Sequence, residues 1–264
     1  MSGWSLIVPT VVDVILKALA PAIKDQIPAA HHGLLGGSVV FFGANEQGKP
    51  FIVQSLEGGG WGGRPNEDGA SGSVSICQGD VRNGTIEGIE MQNPVIVEER
   101  GLRPDSGGAG KFRGGLAIDM RVRNLIEGRW NLHKPRRTDN PPWGLWNGKD
   151  GDTAAYLLRE AHEKKFQEVN LQRHLVAPDS EVIVKTGGGG GWGHPFERDP
   201  KRVREDVLEG YVSLASAKKE YGVVLRAGDL SIDEKATKTA RSAANKKPAK
   251  RAAPAKAVKG KARR

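Results

Sequence analysis

The chain has 264 residues, of which 36 are glycine, about twice the usual share of roughly 7%. Hydrophobic residues make up 38% of the sequence, which is enough for a buried core and excludes a wholly disordered chain. No run approaches the roughly 18 apolar residues of a membrane helix, and a signal-peptide pattern is absent. We therefore expect a cytoplasmic protein with no membrane partner, in which the single cysteine, Cys77, excludes an internal disulfide.

The positive charge is concentrated at the C-terminus. The formal net charge is +9, but 12 Lys and Arg and no acidic residue lie between Lys235 and Arg264. The remaining residues, 1–234, include 28 basic and 31 acidic side chains and carry a net charge of −3. We interpret residues 231–264 as a disordered Lys/Ala-rich tail, either a solubilising extension or an arm that makes weak, non-specific contact with polyanions.

Hydrophobic periodicity predicts a helix first and strands after it. Val8–Ile23 has the apolar spacing of an amphipathic helix, with Pro9 in its first turn. The apolar runs Ser38–Phe42 and Phe51–Leu56 flank an Asn-Glu-Gln-Gly turn, which indicates two strands. Apolar and β-branched residues between turn signals predict three further strands. These are Ser73–Cys77, Val95–Glu99 and Leu116–Val122.

The signals change from strand to helix toward the end of the chain. Pro141 and Pro142 exclude a helix from Arg136–Gly151, which we predict to be a loop. Val182–Lys185 indicates one more strand. Two short helices follow, each beginning at a Ser or Asp N-cap, and the first has proline at its first position and a closing glycine. They are Asp199–Gly210 and Ser213–Lys219.

These elements predict an α+β fold: a β-rich mixed domain with glycine-rich loops, short C-terminal helices and a disordered basic tail. We assign residues 1–230 to one domain, whose ordered body ends at Tyr221–Leu225. Residues 231–264 are the predicted tail.

The string Gly-Gly-Gly-Trp-Gly occurs twice, at residues 58–62 and 189–193, each time after a predicted strand. Both copies satisfy the G-x-G-x-x-G pattern of dinucleotide-binding loops. A proline within three residues of each copy prevents the helix that must follow, so we favour structural glycine turns over a dinucleotide site. Asp105–Lys111 likewise lacks the first glycine and the Ser or Thr of a phosphate-binding loop.

Metal-ligand patterns are also incomplete. His162 and Glu163 begin a zinc-protease motif, but Phe166 occupies the position of its second histidine. We therefore predict no metal site in this chain. The remaining candidates are polar residues set among glycines, where backbone N–H groups can approach a ligand but where tight turns in an inert loop are equally compatible. They are Glu57, Arg64, Asp68, Asp80, Asp105, Arg113, His194 and Glu197.

Four long motifs resemble the hydantoinase B/5-oxoprolinase family, which includes the B-type chains of N-methylhydantoinases and the related alpha chains of acetone carboxylases. The resemblance extends from Val8 to Leu225 and is to the C-terminal half of that family's chains only. The motifs are GGGWGGRPNEDG at Gly58–Gly69, LRPDSGGAGKFRGG at Leu102–Gly115, PPWGLWNG at Pro141–Gly148 and the glycine-rich and helical region Thr186–Gly222.

The resemblance implies a hydrolase of cyclic-amide C–N bonds that acts only as part of a complex. A hydantoinase A-type subunit would use ATP to activate the substrate, and the B-type chain would take part in opening N-methylhydantoin- or 5-oxoproline-like rings. ATP and Mg²⁺ are then expected on that partner, with no cofactor on this chain. A second expected partner is a chain that supplies the missing N-terminal half, where carboxylase members hold a metal. Two alternatives stay open: a subunit of an acetone or ketone carboxylase, and a non-catalytic truncated assembly protein.

Such chemistry needs donors that polarise a carbonyl or hold a phosphate, and a carboxylate that activates water. The candidate catalytic carboxylates are Glu57, Asp68 and Asp105. A contact between Asp105 and Arg113 that merely stabilises their turn is at least as compatible with the sequence. The candidate substrate-binding groups are the side chains of Arg64, Arg113 and His194 and the backbone amides of Gly59, Gly60, Gly190 and Gly191.

Overall fold

The computed structural model describes residues 3–33, 39–45, 47–55, 57–77, 79, 84–132, 140–169 and 173–245. Several predictions made above lie outside the described residues. They concern Ser38 and Leu56 at the ends of two strands, residues 136–139 of the loop, the candidate Asp80, and residues 246–264 of the tail.

Within these residues nine strands form two sheets, and every neighbouring pair of strands is antiparallel. In chain order the strands are β1 (Val39–Ala44), β2 (Pro50–Ser55), β3 (Val95–Leu102), β4 (Ile118–Asn124), β5 (Gly128–Leu132), β6 (Ala155–Arg159), β7 (Gln167–Glu168), β8 (His174–Val176) and β9 (Glu181–Lys185). The first sheet has the order β2-β1-β5-β8, and the second has the order β3-β4-β9-β6-β7.

One hydrophobic core lies between the two sheets. Alternate residues of β4 are buried, the two-residue period of a strand with one face on a core. In the first sheet Phe41 stacks on Trp130, with ring centroids 4.8 Å apart. Side chains of both sheets meet in a single cluster, so the sheets form a sandwich. Its buried members are Val39, Phe41, Val95, Met120, Val122, Trp130, Leu132, Tyr156, Leu158, Val176, Val182 and Val184.

Five of the six predicted strands are confirmed as β1, β2, β3, β4 and β9. The sixth, Ser73–Cys77, is wrong, because Ser73 forms only an isolated bridge with Gly59. Strands β5 to β8 were not predicted. In β6 buried and partly buried residues alternate, but the sequence Ala-Tyr-Leu-Leu-Arg does not alternate between apolar and polar residues. Strands β7 and β8 have only two and three residues, too few for a periodic signal.

The described residues also include five α-helices: α1 (Gly3–Leu19), α2 (Ile86–Gln92), α3 (Pro200–Leu208), α4 (Leu214–Tyr221) and α5 (Glu234–Asn245). The predicted N-caps of α3 and α4 are confirmed. The Asp199 carboxylate accepts a hydrogen bond from the amide of Lys201, and the Ser213 hydroxyl accepts one from Ser216. Side chains of α3 and α4 form a second, smaller core around Val203, Ala217 and Tyr221.

Helix α5 corrects the prediction that disorder begins at residue 231. The hydroxyl of Thr237 accepts a hydrogen bond from the amide of Val224, at 3.0 Å. The guanidinium of Arg241 donates to the carbonyl of Tyr221, at 3.1 Å. These contacts were not visible in the sequence, because polar side chains rather than a large apolar face attach the helix to the body.

The glycine-rich segments form a bundle of extended chains with Gly187–Gly193 at its centre. The amides of this segment donate to its neighbours, and two partner segments recur after three residues. Gly188 and Gly191 donate to residues 149–152, and Gly189 and Trp192 donate to residues 112–115. Three residues per turn without internal hydrogen bonds is the geometry of a polyproline II helix. We call this assembly the glycine bundle. The neighbouring segments are residues 29–32, 59–63, 106–109, 112–115, 143–145 and 149–152.

Glycine is required at the centre of the bundle because the backbones touch. A Cβ atom on Gly190 would overlap the carbonyl of Trp143, and one on Gly189 would overlap the carbonyl of Trp61. Close approach, rather than a left-handed conformation, therefore demands glycine here. The two Gly-Gly-Gly-Trp-Gly copies pack against each other in this bundle, so they are packing segments and not the turns that we predicted.

Candidate functional site

A charged cleft opens at one edge of the glycine bundle. It has a volume of about 350 Å³ and lies between Asp105–Ala109, Lys149–Asp152 and α4. A second depression of about 490 Å³ shares Lys149 with it and extends along His194–Phe196. Because bundle segments form two of its walls, the cleft has a rigid backbone frame with charged side chains at its rim.

The cleft is lined by side chains of both positive and negative charge. Lys149 makes no ion pair within the described part of the chain, while Lys219 lies 2.8 Å from the carboxylate of Glu220. Burial raises the pKa of Asp152 above its usual value; the charge of Arg103 opposes this rise and the carboxylate of Asp105 adds to it. A raised pKa brings a carboxyl group closer to the range in which general acids and bases work.

Asp105 is the predicted carboxylate that lies in this cleft. It is exposed and adopts a φ of 61°, an uncommon conformation for a residue other than glycine. Its carboxylate accepts a hydrogen bond from the amide of Ser213 at 2.8 Å and so holds the start of α4. The suggested turn contact with Arg113 is not among the contacts of these described residues, since Arg113 bonds elsewhere.

Below the cleft, two arginines and two aspartates form a buried network. Arg198, which is 1% exposed at its side chain, donates two hydrogen bonds to Asp68, at 2.6 and 2.8 Å. It also contacts Asp206 at 2.7 Å. Arg113 lies 3.5 Å from the same Asp206 and donates to the carbonyl of Gly114 at 2.7 Å. Asp68 and Arg113, both predicted for the site, are thus parts of one structural network.

The ionisation of Asp68 does not suit a general base. Burial by itself would raise the pKa of this carboxyl, but the hydrogen bonds and charge of Arg198, with help from Arg113, hold it below the usual range. Efficient general bases have pKa values closer to the working pH. The same carboxylate also accepts from Arg202, at 3.0 Å. Asp68 is therefore suited to hold the fold together.

Three other predicted side chains lie apart from one another. Glu57 is buried and accepts a hydrogen bond from Arg100 at 3.1 Å. Arg64 is exposed and forms a 2.6 Å ion pair with Glu67, and neither Glu57 nor Arg64 lines the cleft. His194 lines the second depression, where its Nδ1 atom accepts from the amide of Phe196 at 3.1 Å.

The four glycines predicted as donors to a substrate use their amides inside the glycine bundle. The amides of Gly59 and Gly60 donate to the carbonyls of Ser73 and Gly187, and those of Gly190 and Gly191 donate to Ala30 and Lys149. A donor that already has a backbone partner is not available to a ligand. This corrects their predicted function to one in packing.

Sequence reasoning missed most of the cleft. Lys149 and Asp152 follow the PPWGLWNG motif directly, and their position after a glycine-rich loop was the available signal. Lys219, Glu220 and Tyr221 reach the cleft only because α4 packs on the bundle. Tyr221 is 2% exposed, and burial raises its pKa above the usual range, so its hydroxyl stays protonated.

A separate buried pair joins α1 to the glycine bundle. The Nδ1 atom of His31 lies 2.9 Å from a carboxylate oxygen of Asp13, and both side chains are 2% exposed. The ring of His32 packs edge-to-face on that of His31, with centroids 5.5 Å apart.

Within the described residues, no group of three or more His, Cys, Asp or Glu is placed to hold a metal ion. None of the described helices is long and apolar enough to cross a membrane.

Comparison with known proteins identifies the family. The model of the hydantoinase B/oxoprolinase family matches residues 1–195. The chain belongs to the hydantoinase B/oxoprolinase family. This result confirms the resemblance that the sequence motifs indicated.

Named relatives include three different enzymes. The chain is 29% identical to the putative B-type chain of a D-/L-hydantoinase from Pseudomonas sp. over 81% of its own length and 36% of the relative. It is 30% identical to the beta chain of the caprolactamase of Pseudomonas jessenii, over 89% and 41% respectively. It is 25% identical to the alpha chain of the acetone carboxylase of Xanthobacter autotrophicus, over 76% and 31%. The chain therefore spans about two fifths or less of these relatives.

The fold agrees with a solved member of the family. The crystal structure of the ATP-dependent caprolactamase from Pseudomonas jessenii matches with a TM-score of 0.73 and 27% identity. The match covers 86% of this chain and 40% of the caprolactamase chain. The sandwich, the glycine bundle and the short helices thus form a unit that a much longer enzyme also contains.

Proposed function

We propose that this chain forms part of an ATP-dependent cyclic-amide hydrolase that opens N-methylhydantoin- or 5-oxoproline-like rings with a hydantoinase A-type subunit. The observation that carries the proposal is membership of the hydantoinase B/oxoprolinase family, together with relatives named as subunits of a hydantoinase and a caprolactamase. ATP and Mg²⁺ bind to the A-type partner, and this chain acts on the activated substrate. A polypeptide with the N-terminal part of the family fold completes the complex, and ATP dependence favours the cytoplasm as its compartment.

The charged cleft is the part of this chain best suited to that task. The ammonium groups of Lys149 and Lys219 can attract the charged oxygens of a phosphorylated intermediate. The carboxyls of Asp105 and Asp152 can orient a water molecule or take up its proton. Residues 149–152 are bonded to the bundle, so the backbone that carries Lys149 and Asp152 is fixed before a substrate binds.

The test measures ATP turnover by the complex of this chain with its A-type partner. Hydantoin, N-methylhydantoin, 5-oxoproline and caprolactam are supplied in turn, and released phosphate and ring-opened product are both quantified. We expect substrate-dependent ATP hydrolysis with one of these rings. Lys149→Ala should lower kcat/KM at least roughly tenfold, since it removes a charge from the cleft. Lys164→Ala, on an exposed turn, is the matched control and should leave the turnover unchanged.

The same assay separates the two alternatives. ATP turnover that requires bicarbonate and a ketone such as acetone, with carboxylated product and no ring opening, would assign the chain to a ketone carboxylase. A complex that assembles but hydrolyses ATP with none of these substrates would leave a non-catalytic assembly function. Equal turnover by the Lys149→Ala and Lys164→Ala variants would show that the cleft is not the substrate site.

A further inference from the structure

Helix α1 turns an apolar face toward solvent. Val11, Val14 and Ile15 are 48%, 61% and 52% exposed. Six of the 13 exposed large hydrophobic residues in the described part of the chain lie within residues 8–23. An exposed apolar patch that is concentrated in this way marks an interaction site, whereas single exposed apolar residues are ordinary.

These side chains form one continuous stripe. Val8, Val11, Ile15 and Leu19 follow one another at intervals of three or four residues, which places them on one face of the helix, and Val14 lies beside them. The charged Lys17 lies outside the stripe. We call these five apolar residues the α1 stripe. The helix is amphipathic as predicted from the sequence, but its apolar face points away from the body.

The buried pair of Asp13 and His31 explains this orientation. Asp13 is on the inward face of α1, where its carboxylate meets the imidazole of His31 at 2.9 Å. Rotating α1 to bury the stripe would separate the pair and leave one polar group buried without its partner, which is strongly unfavourable. The pair thus fixes the stripe on the outside.

Two cation–π contacts fix where on the molecule the stripe lies. The ammonium of Lys17 is 5.1 Å from the ring centroid of Trp143, and that of Lys24 is 4.9 Å from Trp146. Both tryptophans belong to the loop that enters the glycine bundle and continues to Lys149 in the cleft. A polypeptide bound on the stripe would therefore lie next to the loop that leads into the cleft.

We propose that the α1 stripe is the docking surface for the N-terminal part of the hydantoinase B fold, whether that part is on the same polypeptide or on another. The inference rests on the proposed function and deepens it by naming the surface through which the complex is completed. About three fifths of the length of the hydantoinase and caprolactamase relatives lies outside the region that this chain matches, and the motif resemblance is to their C-terminal half. The remaining part of the fold is therefore the occupant that the region matched by this chain lacks.

The chemistry of the stripe fits such an occupant. Where two parts of one fold pack permanently against each other, the contact surface resembles a protein interior. It contains many aliphatic side chains and few charged ones. The α1 stripe consists of valine, isoleucine and leucine only. A second copy of this chain, which would pair the stripe with itself, is the competing occupant and is an outcome of the test.

The test uses the full chain and, as a probe, the part of the Pseudomonas jessenii caprolactamase beta chain that lies outside the matched region, used only after circular dichroism and a cooperative thermal transition have shown that it is folded. Binding is measured by titration calorimetry and by biolayer interferometry, without ATP or substrate. We expect the wild-type chain to bind and the double variant Val11→Glu, Ile15→Glu to bind at least tenfold more weakly. The double variant Leu175→Glu, Leu208→Glu places the same two charges on exposed leucines of β8 and α3 and should bind like the wild type. Circular dichroism of both variants checks that each is folded before binding is compared.

Two outcomes would overturn the proposal. In the first, the folded wild-type chain does not bind the probe, or the double variant binds it equally well. In the second, sedimentation shows a wild-type dimer that the double variant abolishes and the probe does not displace, which assigns the stripe to a second copy. Since no ATP is present, loss of ring-opening activity does not affect this result, and the docking surface and the proposed reaction can fail separately.

Discussion

The sandwich and the glycine bundle are packed in opposite ways. In the sandwich, apolar side chains such as Leu132 and Phe41 fill the space between the sheets. In the bundle, carbonyl oxygens and amides of neighbouring backbones meet directly, and at Gly190 there is no space for even one side-chain carbon. The sandwich is stabilised by burial of apolar surface, whereas the bundle depends on hydrogen bonds between chains that can approach closely only as glycine.

The rigidity of the two regions differs as well. A side-chain core tolerates some repacking, but a backbone bundle has no side chains that can adjust. Residues 149–152, which line the cleft, are bonded to the bundle's central segment. Lys149 and Asp152 are therefore attached to the least deformable backbone of the molecule, as a preorganised site requires.

Adding one carbon to the bundle is expected to have the largest effect. Gly190→Ala places a Cβ on the carbonyl of Trp143, and because that atom is backbone the bundle must separate. We expect a loss of about 5 kcal/mol or more in the free energy of unfolding, measured by urea denaturation, or failure to fold. Gly101→Ala, where a Cβ meets nothing within 4 Å, is the control and should change stability by about 1 kcal/mol or less. Normal stability of Gly190→Ala would contradict the bundle.

Removing the central arginine below the cleft is expected to have the next largest effect. Arg198→Met leaves Asp68 and Asp206 buried without their main counter-charge, which should destabilise the fold by about 3–5 kcal/mol. Arg202 binds the same Asp68, but its side chain is 44% exposed, so Arg202→Met should cost less than about 1 kcal/mol. Thermal and urea unfolding of the two variants measure the difference. Equal effects would mean that the network is no more than a surface ion pair.

Removing side-chain volume from the sandwich gives the matching test of the other region. Leu132 is fully buried, and Leu132→Ala should destabilise the fold by about 3 kcal/mol through lost burial and the cavity that remains. Leu175→Ala in β8, where the leucine is 55% exposed, should stay within about 1 kcal/mol. The sandwich then loses stability when side-chain carbon atoms are removed, whereas the bundle loses stability when one is added. If Leu132→Ala left the free energy of unfolding unchanged, this difference between the two regions would be contradicted.

The smallest expected effect is a pH dependence. The pKa of Asp68 is lower in the folded state than in the unfolded chain, so its stabilising contribution is complete above the unfolded pKa of about 3.9. The contribution is lost as the pH falls below that value and through the folded pKa. The difference in unfolding free energy between the wild type and Asp68→Asn should therefore be constant near pH 7 and shrink below pH about 4. Glu67→Gln, at an exposed pair, is the control and should show little such change.

The elements with a local signal were predictable, and those without one were not. The N-caps Asp199 and Ser213 and the strand predicted at Val95–Glu99 have signals within a few residues. The structure confirms all three and extends the strand to Leu102. Strands β7 and β8 are too short for a period. Helix α5 is attached by Arg241 and Thr237, whose partners are 13 to 43 residues earlier in the chain.

The residues of the candidate site were also only partly predictable from the sequence. Asp105 lines the cleft and His194 lines the depression next to it, and their action on a substrate stays a prediction. Asp68 and Arg113 were chosen for their charge, but their functions depend on Arg198 and Asp206, which reach them only in the folded chain. Residue type was therefore enough to select polar candidates. Which of them are available to a ligand depends on their partners in the folded chain.

By itself, the sequence determined the family, the α+β class, the capped helices and the importance of the glycine motifs, because each of these depends on residue types at short spacing. Only the tertiary structure decided what the glycines do. Their hydrogen-bond partners lie in six segments from residues 29 to 152, and no local pattern specifies which backbones will touch. It also decided that the apolar face of α1 points outward, because the buried Asp13 and His31 pair joins residues 18 positions apart.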